Sequence, residues 1–154
     1  MKRYGPLNLH LSQAIASMGH GDLMIVCDAG FPIPNHVTRV DLAVAQDIPD
    51  LETVLTVINE AFIAEKVGYA AEMADNNAPL RDKVHRIFAD AEFTTLSHEE
   101  ILGQMAAKAK VIVRTGAFDP WGNILLYSGV DVPKWFDKPG VIAPEYYAKK
   151  LMPG

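Results

Sequence analysis

The chain has one cysteine, Cys27, so no internal disulfide can form and no second thiol offers metal-ligand spacing. No apolar run approaches the roughly 20 residues that cross a bilayer. The opening MKRYGPLNLH has a basic start but lacks the apolar core of a signal peptide. Cationic side chains are outnumbered, 14 Lys and Arg against 19 Asp and Glu, and they are scattered. A net charge of -5 without a basic patch excludes nucleic acid as a partner. There is no GxGxxG after the first strand, no P-loop, no GxSxG, no HExxH and no CxxC. These absences leave a protein expected in the reducing cytoplasm, with no membrane or nucleic-acid partner.

What is present fits one soluble domain: 154 residues, 49% apolar and 21% charged. The run Leu23–Cys27 is continuously apolar and reads as a strand buried on both faces. Cys27 lies inside it as a small buried hydrophobe. Two glycines bracket His20 before this strand; Asp28 and a loop punctuated by Gly30, Pro32 and Pro34 follow it. Asn8 or Ser12 can cap a first helix carrying Leu11, Ile15 and Met18 on one face, and Gly19 stops it. Thr38 to Ala45 reads as a second strand. Asp50 caps a helix with Leu51, Val54, Leu55 and Ile58 inward. A strand is expected from Ile63 onward, and Pro79 opens a helix with Leu80, Val84 and Ile87 inward. Phe93–Leu96 is a short strand. Ser97-His-Glu-Glu100 fits a capping box for the next helix. Val111–Thr115 and Asn123–Tyr127 are the last two strands. Alternating strands and helices predict an α/β domain with a largely parallel central sheet flanked by helices. The core domain is expected over residues 1–131. Residues 132–154 are expected to be an irregular extension, whose aromatics pack it on the surface or on a neighbouring subunit.

The polar points at strand edges are His20, Asp28, His98 and the segment Asp119–Asn123. Each has a plain structural explanation. His20 can be a turn residue capping a helix end, and Asp28 can accept backbone hydrogen bonds in the Gly30 turn. His98 can be a solvated first-turn residue, and Trp121 with Asn123 can be loop packing and a strand cap. His10, His36 and His85 read as surface residues. His20, Asp28 and His98 are also a chemically acceptable metal-ligand set, but their spacing matches no local metal motif.

Taken together these positions carry a resemblance. GHGD at 19–22, CDAG, PIP and TRVD through Asp41, Thr95–His98, and then IVRTG, GNILL and SGV between 111 and 130 resemble the D-ribose pyranase and L-fucose mutarotase family. CDAG with PIP is closer to the ribose branch. The resemblance implies His20 as proton donor, and Asp28, His98 and the segment Trp121, Gly122 and Asn123 as sugar-binding groups. It implies a homo-oligomer, usually a decamer, acting on a monosaccharide such as ribose or fucose. Trp121 stands where the family usually has tyrosine; an indole keeps an apolar stacking face and an N–H donor but loses the phenolic oxygen. The tail beyond Val132 has no counterpart in the usual short members.

The chemistry so implied interconverts pyranose, furanose and anomeric forms by opening and closing a hemiacetal. One group protonates the ring oxygen while another takes the anomeric proton, so no cofactor is required. An imidazole, with an ordinary pKa of about 6.5, exchanges protons near neutrality. The alternatives are an L-fucose-type mutarotase and a non-catalytic sugar-binding or transport-accessory protein. His20 and Asp28 stand at the two ends of one strand, on the order of 26 Å apart along an extended path. The expectation is therefore that His20 of one subunit completes a site formed by Asp28, His98 and Asn123 of another.

Overall fold

A computed structural model describes residues 1–151. The element that organises the chain is β1 (Leu23–Cys27), all five residues of which are buried. Burial on both faces explains why its sequence is a continuous apolar run rather than an alternating one. Around it stand β2 (Thr38–Asp41), β3 (Ala64–Ala70), β4 (Glu92–Leu96), β5 (Val111–Arg114) and β6 (Ile124–Ser128), in the order β2-β5-β1-β6-β3-β4. β2, β5 and β1 run parallel, as do β3 and β4. β6 runs antiparallel to both of its neighbours, β1 and β3. The sheet is thus mixed, though mostly parallel as expected. The exception has a simple cause: segment 115–123 contains no helix, and a loop that short cannot recross the sheet to start a parallel strand.

Capping determines where the helices begin. Asn8 Oδ1 accepts the Leu11 N–H at 2.9 Å at the start of α1 (Leu9–Ala16). Asp50 Oδ1 accepts the Thr53 N–H at 2.8 Å at the start of α2 (Leu51–Asn59), which buries Leu51, Val54, Leu55 and Ile58. After β3 comes α3 (Ala71–Asn76), a short helix without a side-chain cap that the sequence pattern did not announce. Asn77 then caps α4 (Ala78–Ile87), with Pro79 in its first turn. Ser97 caps α5 (His98–Glu100) by accepting the Glu100 N–H at 3.1 Å. The helix widens into a π-helical turn at Ile101–Met105 before α6 (Ala106–Lys108).

Two expectations are corrected. The second strand stops at Asp41, not Ala45, because its one partner, β5, ends opposite it at Arg114. The chain then folds into a tight loop whose backbone touches Gly116; a Cβ there would stand 2.4 Å from the Ala45 oxygen. The extension is irregular only in part: it holds α7 (Val132–Phe136), a 3-10 turn at Glu145–Tyr147 and α8 (Ala148–Leu151), with the irregular stretch 137–144 between the first two. Asp131 caps α7 and Val132 is buried, which anchors the extension to the body of the protein. Of the expected 132–154 segment, residues 152–154 lie outside the described residues. Among the described residues no helix is long and apolar enough to cross a membrane.

Candidate active site

Because β6 is reversed, the carboxyl ends of β1, β3 and β4 share one sheet edge with the amino end of β6. That edge is where α/β sheets place ligands. Asp28 follows β1, His98 follows β4 and Asn123 precedes β6. Asn123 is 1% exposed, and its Oδ1 accepts the Asp28 N–H at 3.0 Å. Asp28 Oδ1 in turn accepts the Gly30 N–H at 3.0 Å. Burial pushes the Asp28 carboxyl above its ordinary value, against the pull of Gly30, the Asn123 side chain and the nearby His98. His98 donates its backbone N–H to the Glu72 carboxylate, at 3.0 Å to the nearer oxygen. Its ring Nδ1 is buried and has no hydrogen-bond partner in the protein, the one such side-chain nitrogen or oxygen among the described residues.

The same edge carries Trp121, at the third position of a turn in which Gly122 donates its N–H to the Asp119 oxygen at 3.0 Å. Trp121 has φ 57°, a conformation that turns of this shape normally give to glycine. Holding a bulky residue there costs on the order of 1–3 kcal/mol. Asn77, the cap of α4, steadies the turn by donating to the Pro120 oxygen at 3.1 Å. On one flank of Asp28 lies an open cleft of about 490 Å³, lined by Gly30, Arg114, Phe118, Asp119 and Pro120 besides Asp28 itself. The lining of that cleft does not include His98, Trp121 or Asn123. Burial and the neighbouring Asp47 also raise the Asp119 carboxyl above its ordinary value.

His20 sits at the opposite edge, before β1. Its turn is fixed from several sides. Asp22 accepts the Gly19 N–H at 2.8 Å and pairs with Lys110 at 2.9 Å, and Gly21, at φ 85°, donates its N–H to the Ser128 oxygen at 2.7 Å. The last acid of GHGD therefore serves the turn. The His20 ring meets Glu65 at the start of β3, Nε2 to Oε2 2.9 Å, rather than a helix end. It lines a second cavity, of about 380 Å³, with Met18, Gly129, Trp135, Phe136 and Tyr147.

The structure thus gathers Asp28, His98, Trp121, Gly122 and Asn123 at one sheet edge, while His20 and Asp28 line different cavities at opposite edges. The metal-ligand set His20, Asp28 and His98 is not assembled within one chain, and no cluster of three or more ligating side chains occurs among the described residues. His85 is not a free surface residue: its ring stacks on Phe93 at 3.8 Å and meets the Tyr69 hydroxyl at 2.8 Å. Cys27 is the buried hydrophobe expected, its thiol pushed up to about 12 chiefly by burial. Sequence reasoning missed Glu65, Glu72, Arg114 and Lys150, whose partners lie far along the chain and leave no local spacing to read.

The family model described as the RbsD / FucU transport protein family matches residues 1–131. The chain belongs to this family. D-ribose pyranase 2 of Rubrobacter xylanophilus is 59% identical over 147 residues, 96% of each chain. D-ribose pyranase 1 of Streptomyces griseus is 51% identical over 151 residues, 98% of this chain and all of that one. Among solved structures, Bacillus subtilis RbsD complexed with D-ribose superimposes with a TM-score of 0.80 at 36% identity, covering 84% of this chain and 98% of that one. The two pyranases therefore match this chain through most of its extension, whereas the ribose-bound protein matches it over 84% only.

Proposed function

We propose that this chain is an isomerase that interconverts the pyranose and furanose forms of D-ribose without a cofactor. The observation that carries this reading is its identity of 59% and 51%, over nearly the full length, to two D-ribose pyranases. The Asp28 edge has the chemistry to hold a sugar: a carboxylate, a histidine nitrogen without a protein partner, a buried amide and an indole beside them. His20 gives a proton to the ring oxygen while the anomeric hydroxyl releases its proton to water, and on closure His20 takes the proton of the attacking hydroxyl as water returns one to the carbonyl oxygen. Asp28, His98 and Asn123 hold the hydroxyls, and Trp121 offers a face for the sugar ring.

In this reading the working form is a cytoplasmic homo-oligomer, decameric as the family resemblance implies, with each site shared between copies. The opposite placement of His20 and Asp28 on the sheet supports sharing, because one chain's imidazole stands a strand's length from its own Asp28. Saturation-transfer NMR on D-ribose tests the activity. The protein is expected to accelerate pyranose–furanose exchange, and His20→Ala to return it to the uncatalysed rate while staying folded. An unchanged rate in His20→Ala would remove the proton-transfer role. Ribose binding with no acceleration by the native protein would favour a sugar-binding role instead, and acceleration with L-fucose alone would favour a mutarotase of that sugar.

A further inference from the structure

The C-terminal extension reaches the edge of the sheet that carries His20. Trp135 and Phe136 of α7 and Tyr147 of the 3-10 turn form much of the wall of the His20 cavity. Lys150 of α8 pairs with Glu65, Nζ to Oε1 2.8 Å, while the other oxygen of the same carboxylate meets His20 Nε2 at 2.9 Å. One carboxylate is thus divided between the proposed proton-transfer ring and a cation 85 residues further along the chain than the carboxylate itself. Glu65 is the best shielded of the three, with side-chain exposures of 46% for His20, 27% for Glu65 and 36% for Lys150. Lys150 is the chief cause that holds the Glu65 carboxyl below its ordinary value, and His20 adds to it.

We propose that Glu65 is a positioning residue for His20, and that Lys150 fixes the rotamer of Glu65, so that the extension is a working part of the active site. The inference rests on His20 as the proton-transfer group. A carboxylate that accepts from one imidazole nitrogen selects the tautomer and steadies the imidazolium. With Nε2–H directed at Glu65, the proton given to the sugar leaves Nδ1, and the neutral ring that remains keeps its hydrogen on Nε2. On the return step Nδ1 takes the proton of the attacking hydroxyl while the anomeric oxygen, which had released its proton to water, regains one from water, so the ring ends as it began. Lys150 neutralises part of the carboxylate charge and removes its freedom to turn away.

Exchange kinetics on the full-length protein, with the His20→Ala, Glu65→Gln, Lys150→Met and Glu65→Gln/Lys150→Met variants, test the relay. Glu65→Gln is expected to lower kcat about 10- to 100-fold with KM within about twofold. Lys150→Met is expected to lower kcat several-fold. The double variant should be no worse than Glu65→Gln alone, since Lys150 acts through Glu65. A second readout needs no substrate: ¹⁵N NMR of labelled histidines should show His20 held as the Nε2–H tautomer in the native protein and as a mixture in Glu65→Gln. Native kcat in Glu65→Gln, additive losses in the double variant, or mixed tautomers in the native protein would each overturn the proposal. An active His20→Ala would instead overturn the reading of His20 itself.

Discussion

The backbone N–H of Asp28 donates to the side-chain oxygen of Asn123 at 3.0 Å, joining residues 95 apart in sequence. This bond ties the end of β1 to the start of β6, and it exists because β6 is reversed. A parallel β6 would begin at the other edge, beside His20, and Asn123 would be nowhere near the Asp28 carboxylate. The reversal of one strand brings Asn123 to the edge that carries Asp28 and His98, whereas His20 stands at the opposite edge.

If each site draws His20 from one copy and Asp28 from another, two inactive variants should complement. An equal mixture of His20→Ala and Asp28→Asn chains, co-expressed so that they assemble randomly, should recover about a quarter of the native exchange rate. Each variant alone should be inactive. A mixture as inactive as its components would show that both residues are required from the same chain.

Asn123→Ala removes the acceptor of a bond made by a residue 1% exposed, leaving the Asp28 N–H without its partner. The expected loss is about 1–3 kcal/mol of stability, measured by urea unfolding. Asn123→Asp keeps the acceptor but sets a second carboxylate beside Asp28. It should retain more stability than Asn123→Ala below the ordinary carboxylate range, and less at neutral pH.

Asp28 should trade stability for function. Its carboxyl is raised in the folded protein, chiefly by burial, so the unfolded chain ionises first. The resulting loss of stability develops as pH rises through the unfolded value and is complete above the folded one. Asp28→Asn keeps an oxygen for the Gly30 N–H and removes the buried charge. At pH 7 it should raise Tm, by calorimetry, while abolishing ribose exchange. A lower Tm would show that the ionised form is better satisfied than its burial indicates.

Asp22 has the opposite sign. Its carboxyl is held below the ordinary value, first by the hydrogen bond from Lys110 and then by the Gly19 N–H. Its contribution is therefore fully present above the unfolded carboxylate pKa, about 4, and is lost as pH falls through the folded value. The urea midpoint of the native protein should fall on acidification below about pH 4, and the fall should be shallower in Asp22→Asn. Lys110→Met should also flatten it, because Lys110 supplies the largest part of the pull.

Local patterns were enough to place most of the elements. The apolar run at Leu23–Cys27, the caps at Asn8, Asp50 and Ser97, and Pro79 in a first turn each act within a few residues, and each reappears in the structure. The motifs around His20, Asp28, His98 and Trp121–Asn123 were likewise legible as short strings, and they led to the family to which the chain belongs. The alternation of strands and helices also gave the mostly parallel sheet, but not its one reversed strand.

Tertiary structure alone decided which of those strings meet. The direction of β6 depends on a loop too short to recross the sheet, and the pairings Asp28–Asn123, His98–Glu72 and His20–Glu65–Lys150 join segments with no shared local spacing. Periodicity carries no information about such partners. They are selected by where the packed sheet brings its edges and by what the helices of the extension cover.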